Sequence, residues 1–347
     1  MKRSTSVSSP SALAVVAGPH GIRRSAWLLL PVVAVFIAMP WWAGRELQRL
    51  CVEFMYTLAL AQMWNLLVGY GGLVSIGQQA FVGIGAYTLV VLGAHWGIPA
   101  FLVIPVAGVV AMLLAVPMGA LLFRLRGAYF AVGTWVAAEV LRLLVANNAS
   151  VGAGSGTSVT AALRGMSSGT REVGMLWIAL ALGLGGTFGV YFWLRSRWGL
   201  ALGAVRDSEP AAASLGVPVQ RIKWWVWLAA AAGCGMVGAL AYMAKLRVAP
   251  EAAFSLEWTT TAFFIVVLGG IGTIEGPIVG AVLFFALREV LADYGGVYLI
   301  VLGLAAIAVM LFKPRGLWGN SGWQLFPVRR LSGMAANSTM SADRNRN

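Results

Sequence analysis

The sequence predicts an all-α polytopic membrane protein with eight to ten transmembrane helices, one short capped helix on the cytoplasmic side, and broken or re-entrant segments. Three observations predict it. Of 347 residues, 59% are hydrophobic and 11% charged, more apolar surface than a soluble core of this size can hide. The apolar residues fall into runs near the 20-residue length that crosses a bilayer. The basic residues behind the net charge of +13 cluster in short loops between those runs, as orientation signals do, and not in the aromatic-interleaved patches of a nucleic-acid binder.

In chain order, residues 1–25 are Ser/Ala-rich and basic, and are expected to form a disordered cytoplasmic arm. The run Ala26–Ala43 is read as an uncleaved first span, because Pro40-Trp41-Trp42 resembles an interfacial anchor and not a small-residue cleavage site. Spans are then expected at Val52–Val68, Leu73–Gly93, Ala100–Phe123, Tyr129–Ala146, Val173–Leu194, Trp225–Ala244, Thr259–Leu268, Ile278–Leu291 and Val297–Phe312. Thr259–Leu268 and Ile278–Leu291 are short and glycine-flanked, so they are the candidates for broken helices. A membrane domain thus covers 26–318 and a cytoplasmic tail 319–347. With ten crossings both termini are cytoplasmic, and 17 of the 25 Lys and Arg residues then lie on the cytoplasmic side, as the positive-inside rule requires.

The polar insert at 196–223 stands out. Asp207 or Ser208 is expected as N-cap, with Glu209 favourable to the dipole, Pro210 in the first turn, Ala211–Leu215 as body and Gly216 as C-cap. Such a helix is too short to be stable alone and too polar to cross lipid. Two glycine-rich stretches echo each other, Gly71-Gly72-Leu73-Val74-Ser75-Ile76 and Gly269-Gly270-Ile271-Gly272-Thr273-Ile274, each between apolar segments and on the same membrane side. Unwound backbone of this kind needs polar surroundings, so Ser75, Gln78, Gln79, Thr273 and Glu275 are candidates to line a translocation path. Close helix packing through small residues is the alternative. Glu139 and Arg142, at i and i+3, are expected to pair within one helix, whereas the adjacent Arg288 and Glu289 cannot pair that way. The loop 149–172, rich in Gly, Ser and Thr, is either an unstructured connector or a platform for an external partner.

Cys51 and Cys234 lack partner spacing, so neither a disulfide framework nor a metal site is expected, and no catalytic constellation is present. No lysine follows the G-x-x-x-x-G pattern of a phosphate-cradling loop, so the chain is not expected to bind ATP by that route.

The insert resembles the cytoplasmic coupling loop of the branched-chain amino-acid ABC transporter permeases, in the subfamily of the larger permease subunit. Ser196, Arg197, Gly199, Ala201, Leu202, Ala204, Arg206, Asp207, Ser208, Glu209, Ala211, Ala212, Leu215 and Gly216 carry the resemblance. Gly69–Tyr87 and Leu268–Gly280 resemble two further motifs of that family, and the likeness runs from about Leu58 to Gly319. Val151–Thr157 departs from the glycine signature the family commonly shows in the external loop. The resemblance implies a non-enzymatic subunit of an ATP-driven importer in a bacterial inner membrane. Its implied partners are membrane lipid, a second homologous permease, two cytoplasmic ATPases that hold the ATP and magnesium, and a periplasmic binding protein. It further implies that Arg206, Asp207, Ser208, Glu209, Ala211, Ala212, Leu215 and Gly216 couple to the ATPases. Branched-chain amino acids are the default substrate; urea, short amides and aromatic acids are alternatives within the family. From another class, an ion-coupled secondary transporter would need a titrating intramembrane acid, for which Glu139 is the candidate.

Overall fold

A computed structural model describes residues 34–291, 297–313 and 316–318. The arm at 1–25, the start of the first expected span and the tail at 319–347 lie outside the described residues. Helices dominate: α1 (Arg45–Asn65), α2 (Gln78–Thr88), α3 (Ala100–Leu122), α4 (Ala128–Ala146), α5 (Ser168–Arg195), α6 (Arg197–Asp207), α7 (Glu209–Ser214), α8 (Val219–Lys245), α9 (Glu257–Gly269), α10 (Glu275–Val290) and α11 (Val297–Phe312). Wider π-helical turns extend α1 to Tyr70 and α2 to His95. Six of the described helices are long and apolar enough to cross a membrane. Helices α10 and α11, at 16 residues each, are shorter than the usual crossing.

Helix α8 is the hub, packed against α1, α2 and α3, while α1 also packs against α5, α9 and α10. Helix α4 is the contrast: only 17% of its most apolar window is buried within the chain, against 78% for α1, so its apolar face is left for lipid or another subunit. Trp227 on α8 is fully buried, donates its indole N–H to the Ala115 carbonyl of α3 at 2.8 Å, and lies edge-on to Phe81 of α2 at 5.3 Å.

The tight approach of α2 and α8 follows from their glycines. A Cβ on Gly85 would stand 1.9 Å from the Gly235 carbonyl oxygen, and one on Gly238 would stand 2.0 Å from that of Val82. Backbones meet here because small residues let them, the usual basis of helix association in lipid.

Three expectations need correction, and of the two readings left open for the external loop the unstructured one falls away. The span expected at Leu73–Gly93 does not begin as helix: residues 71–77 are non-helical and α2 starts at Gln78. Glycine at 71, 72 and 77 leaves that stretch without a helical drive. The insert expected to hold one helix holds two, because the apolar Leu202 and Val205 of α6 find a buried face that polar composition concealed. Helix α7 is capped by Ser208 and not Asp207, its body ends at Ser214, and Leu215 is its C-cap. The external loop is structured: Thr157–Ser158 pairs antiparallel with Arg247–Val248, and Val159 and Leu163 are buried.

The α2–α8 contact predicts a stability difference. Gly85→Ala forces apart two backbones and is expected to destabilise by about 1–3 kcal/mol, the cost of overpacking. Gly189→Ala on α5 meets nothing within 4 Å and is expected to be neutral or stabilising. Thermal unfolding of the two variants in detergent checks this.

Candidate functional site

Two glycine-rich loops interrupt the bundle, at residues 71–77 and 270–274, and each leaves backbone N–H and C=O groups that lipid cannot satisfy. The end of α1 satisfies them. Trp64 Nε1 donates to the Ser75 carbonyl at 3.1 Å, and Asn65 Nδ2 donates to the Thr273 carbonyl at 2.8 Å. Asn65 Oδ1 accepts from the Gly272 N–H at 2.9 Å, and Gln62 Nε2 donates to the Ile274 carbonyl at 3.0 Å. Gln62 and Asn65 are fully buried and stand three residues apart on one helix face. The echoing loops therefore meet in space, with α1 between them.

Arg206 closes the junction from the polar insert. Its Nη1 donates to the Gly69 carbonyl at 2.5 Å, in the π-helical end of α1. Gly272, at φ +72°, lies against the same guanidinium: a Cβ there would stand 2.7 Å from Arg206 Nη1. A side chain at Gly69 would clash with Asn65 Oδ1 at 2.2 Å and with the Gly272 nitrogen at 2.6 Å. Only glycine admits this approach. Arg206 thus points into the membrane domain, at the seam of both loops.

Helix α7 and its flanks look mostly outward. Ser208 Oγ accepts from the Ala211 N–H at 3.4 Å. At the other end the Gly216 N–H reaches the Ala213 carbonyl at 3.0 Å and the Val217 N–H the Ala212 carbonyl at 3.0 Å, with Gly216 at φ +81°. That pair of bonds is a Schellman closure. Ala212 is buried underneath, while Asp207, Ser208, Ala211 and Leu215 are exposed, Leu215 at 80%. Glu209 forms an ion pair with Lys223, which ties α7 to the first turns of α8.

The candidate path residues divide between two helix starts. Ser75, Gln78 and Gln79 are buried at the entry to α2, where Ser75 Oγ donates to Gln78 Oε1 at 3.1 Å and Thr259 Oγ1 donates to Gln79 Oε1. Thr273 and Glu275 stand at the entry to α10, where Thr273 Oγ1 donates to the Gly270 carbonyl at 2.9 Å and accepts from the Gly276 N–H at 3.0 Å. Glu275 is buried in the first turn of α10. Glu139 and Arg142 pair within α4 through bonds of 2.5, 2.9 and 3.0 Å on a largely outward-facing helix. Arg288 finds a partner that adjacency had ruled out on its own helix, the Glu53 carboxylate of α1, at 2.6 and 2.9 Å.

Gln62, Trp64 and Asn65 were missed by sequence reasoning. The signal was present: two amide side chains within an apolar run of membrane length are expensive and call for partners. Among the described residues no cluster of His, Cys, Asp and Glu suited to a metal ion occurs.

Residues 47–312 match the family model described as branched-chain amino acid transport system / permease component. The chain is similar to the high-affinity branched-chain amino acid transport system permease protein LivM of Salmonella typhimurium strain LT2, 30% identical over 314 residues, which cover 83% of this chain and 74% of that protein. It is also similar to the LivM protein of Escherichia coli strain K12, 28% identical over the same shares. No solved structure gives a significant match.

The junction predicts a large effect from a near-isosteric change. Asn65→Leu strips the Gly272 N–H and the Thr273 carbonyl of their partners. Each orphaned group costs about 1–3 kcal/mol, so a loss of about 2–6 kcal/mol is expected. Unfolding of the detergent-purified variant measures it, and a loss below 1 kcal/mol would mean that the loops are held otherwise.

Proposed function

This chain belongs to the family of permease components of branched-chain amino acid transport systems, and from that premise we propose that it carries branched-chain amino acids across a bacterial inner membrane as one subunit of an ATP-driven importer. The complex would add a second homologous permease, two cytoplasmic ATPases that bind ATP and magnesium, and a periplasmic binding protein. This chain makes and breaks no covalent bond in that scheme. Both its termini are cytoplasmic, and the insert holding α6 and α7 faces the ATPases.

The observation that carries the mechanism is the division of labour within the insert. Leu215 and the exposed alanine face of α7 offer a small apolar knob to a partner, and Arg206 grips the glycine junction from behind. The Glu209–Lys223 pair and the short α6–α7 connection make the insert a rigid body. ATPase closure would push α7, and Arg206 would pass the displacement to both loops at once. A ligand shifts such an equilibrium only by its differential affinity for the two states, so the ATP-bound ATPases must prefer one arrangement of the junction.

The path residues fit the same scheme. Gln62 Oε1 and Gln78 Nε2 are buried without a hydrogen-bond partner among the described residues. Each costs about 1–3 kcal/mol in this arrangement, which a second state or a passing polar solute relieves. Thr187 and Thr259 are bonded to this seam, close to Ser75, Gln79, Thr273 and Glu275. The Glu139–Arg142 pair, where an ion-coupled reading would have to place its titrating acid, is bonded to itself on the outer helix.

The test is purification of the chain with its partners from mild detergent, followed by leucine uptake into proteoliposomes. Co-purifying ATPases and strictly ATP-dependent uptake are expected, and ATP-independent uptake by the chain alone would refute the reading. Glu209→Lys sets two lysines against each other, so uptake per ATP hydrolysed is expected to fall at least tenfold in a protein that still inserts. The reversed pair Glu209→Lys with Lys223→Glu is expected to recover most of it. Normal coupling in the single variant would remove the ion pair from the mechanism.

A further inference from the structure

A second polar site lies at the far end of the bundle. Helix α8 runs from Lys223, beside the insert, to Lys245 at its C-terminus, a rise of about 33 Å at ~1.5 Å per residue. There a cleft of about 90 Å³ opens between α1, α8, α9 and α10. Its charged residues are Glu53, Arg288, Lys245 and Glu257, two of each sign, and Trp258 gives it an apolar side, with Leu60 buried beneath.

The charges are not equivalent. Glu53 and Arg288 neutralise each other in a two-bond pair across α1 and α10. Lys245 and Glu257 are exposed and take part in no ion pair among the described residues. Lys245 instead rests over the Trp258 ring at 4.7 Å and the Tyr242 ring at 5.4 Å, which holds its ammonium at the cleft and keeps its donors available. One cation and one anion over an apolar wall, with the other two charges cancelled, complement a small neutral molecule that carries both signs. A lone cation or anion would leave one of the two facing like charge.

We propose that this cleft is a binding site for zwitterionic amino acids on the side of the membrane away from the insert, with Lys245 taking the carboxylate, Glu257 the ammonium, and the part-exposed Trp258 side the aliphatic side chain. The proposal rests on the reading of this chain as an amino-acid permease subunit and adds where the substrate first meets it. Two charge-assisted contacts fix the backbone end of the ligand, and the short apolar wall sets no narrow limit on its side chain. The site therefore selects for the amino-acid class and leaves finer discrimination to another component.

The test uses the intact complex in lipid nanodiscs without binding protein and measures equilibrium binding of radiolabelled L-leucine. Competition by 4-methylpentanoate, which lacks the ammonium, and by 3-methylbutylamine, which lacks the carboxylate, is measured beside it. Wild type is expected to bind leucine with each one-charge analogue at least about tenfold weaker. Lys245→Met and Glu257→Gln change exposed side chains, so folding is preserved. Each is expected to weaken leucine binding at least tenfold and to abolish the preference for leucine over the analogue that lacks the charge it served. Leucine binding unchanged in both variants overturns the proposal, as does absence of binding to a complex that imports leucine; either result leaves the permease reading intact. A wild-type complex that imports no branched-chain amino acid overturns both.

Discussion

Unwinding a helix inside a bilayer is costly unless something returns the lost hydrogen bonds, and the bundle is arranged around one place where that happens twice. The amide pair Gln62 and Asn65, helped by the Trp64 indole and the Arg206 guanidinium, supplies donors and acceptors to both glycine loops. The glycines are the condition for this as much as the amides, since a methyl group at Gly69 would occupy the space of Asn65 Oδ1. Had the loops been satisfied separately, each would move alone. Sharing α1 makes them one mechanical unit, and Arg206 brings the insert into it.

The packing around that unit grades from rigid to open. Helices α1, α2, α3 and α8 interlock through small residues and the Trp227 cluster, a core too dense to deform continuously. Helix α4 contributes little to this core, yet its Thr134 hydroxyl accepts the Ile76 N–H at 3.0 Å, so the first glycine loop is held on its outer side by a helix that itself faces outward. A subunit packed against α4 would therefore press on the loop through one hydrogen bond.

Much of this was legible in the sequence, for reasons that differ by element. The long apolar runs placed α3 and α4 to within one residue at each end because membrane length is a strong constraint, while α5 and α8 begin five and six residues before the expected starts, in polar turns that hydropathy does not count. The capped helix α7 was legible from Ser208, Pro210 and Gly216, each of which has a local backbone reason to be there. Helix α6 was not, because its buried face is only Leu202 and Val205. The echo of the glycine loops was visible as a pattern, but their contact was not: Asn65 and Gly272 are 207 residues apart, and no periodicity carries that distance. The same holds for Glu53 with Arg288, and for Arg206 with the Gly69 carbonyl, 137 residues away.

Helix α1 joins the two polar regions of the chain. Glu53 and Leu60 line the charged cleft, and Asn65 ties the loops about 18 Å further along the same helix, at ~1.5 Å per residue from Glu53. Helix α9 repeats the relation: Glu257 and Trp258 stand at the cleft, Thr259 donates to Gln79, and its C-terminal Gly269 opens the second loop. Two helices thus run from the cleft to the junction, and they pack against each other and both against α10. Any displacement that Arg206 imposes on the junction must either strain those helices or shift their far ends. A close-packed interior resists strain, so the cleft residues at the far ends are the ones free to respond.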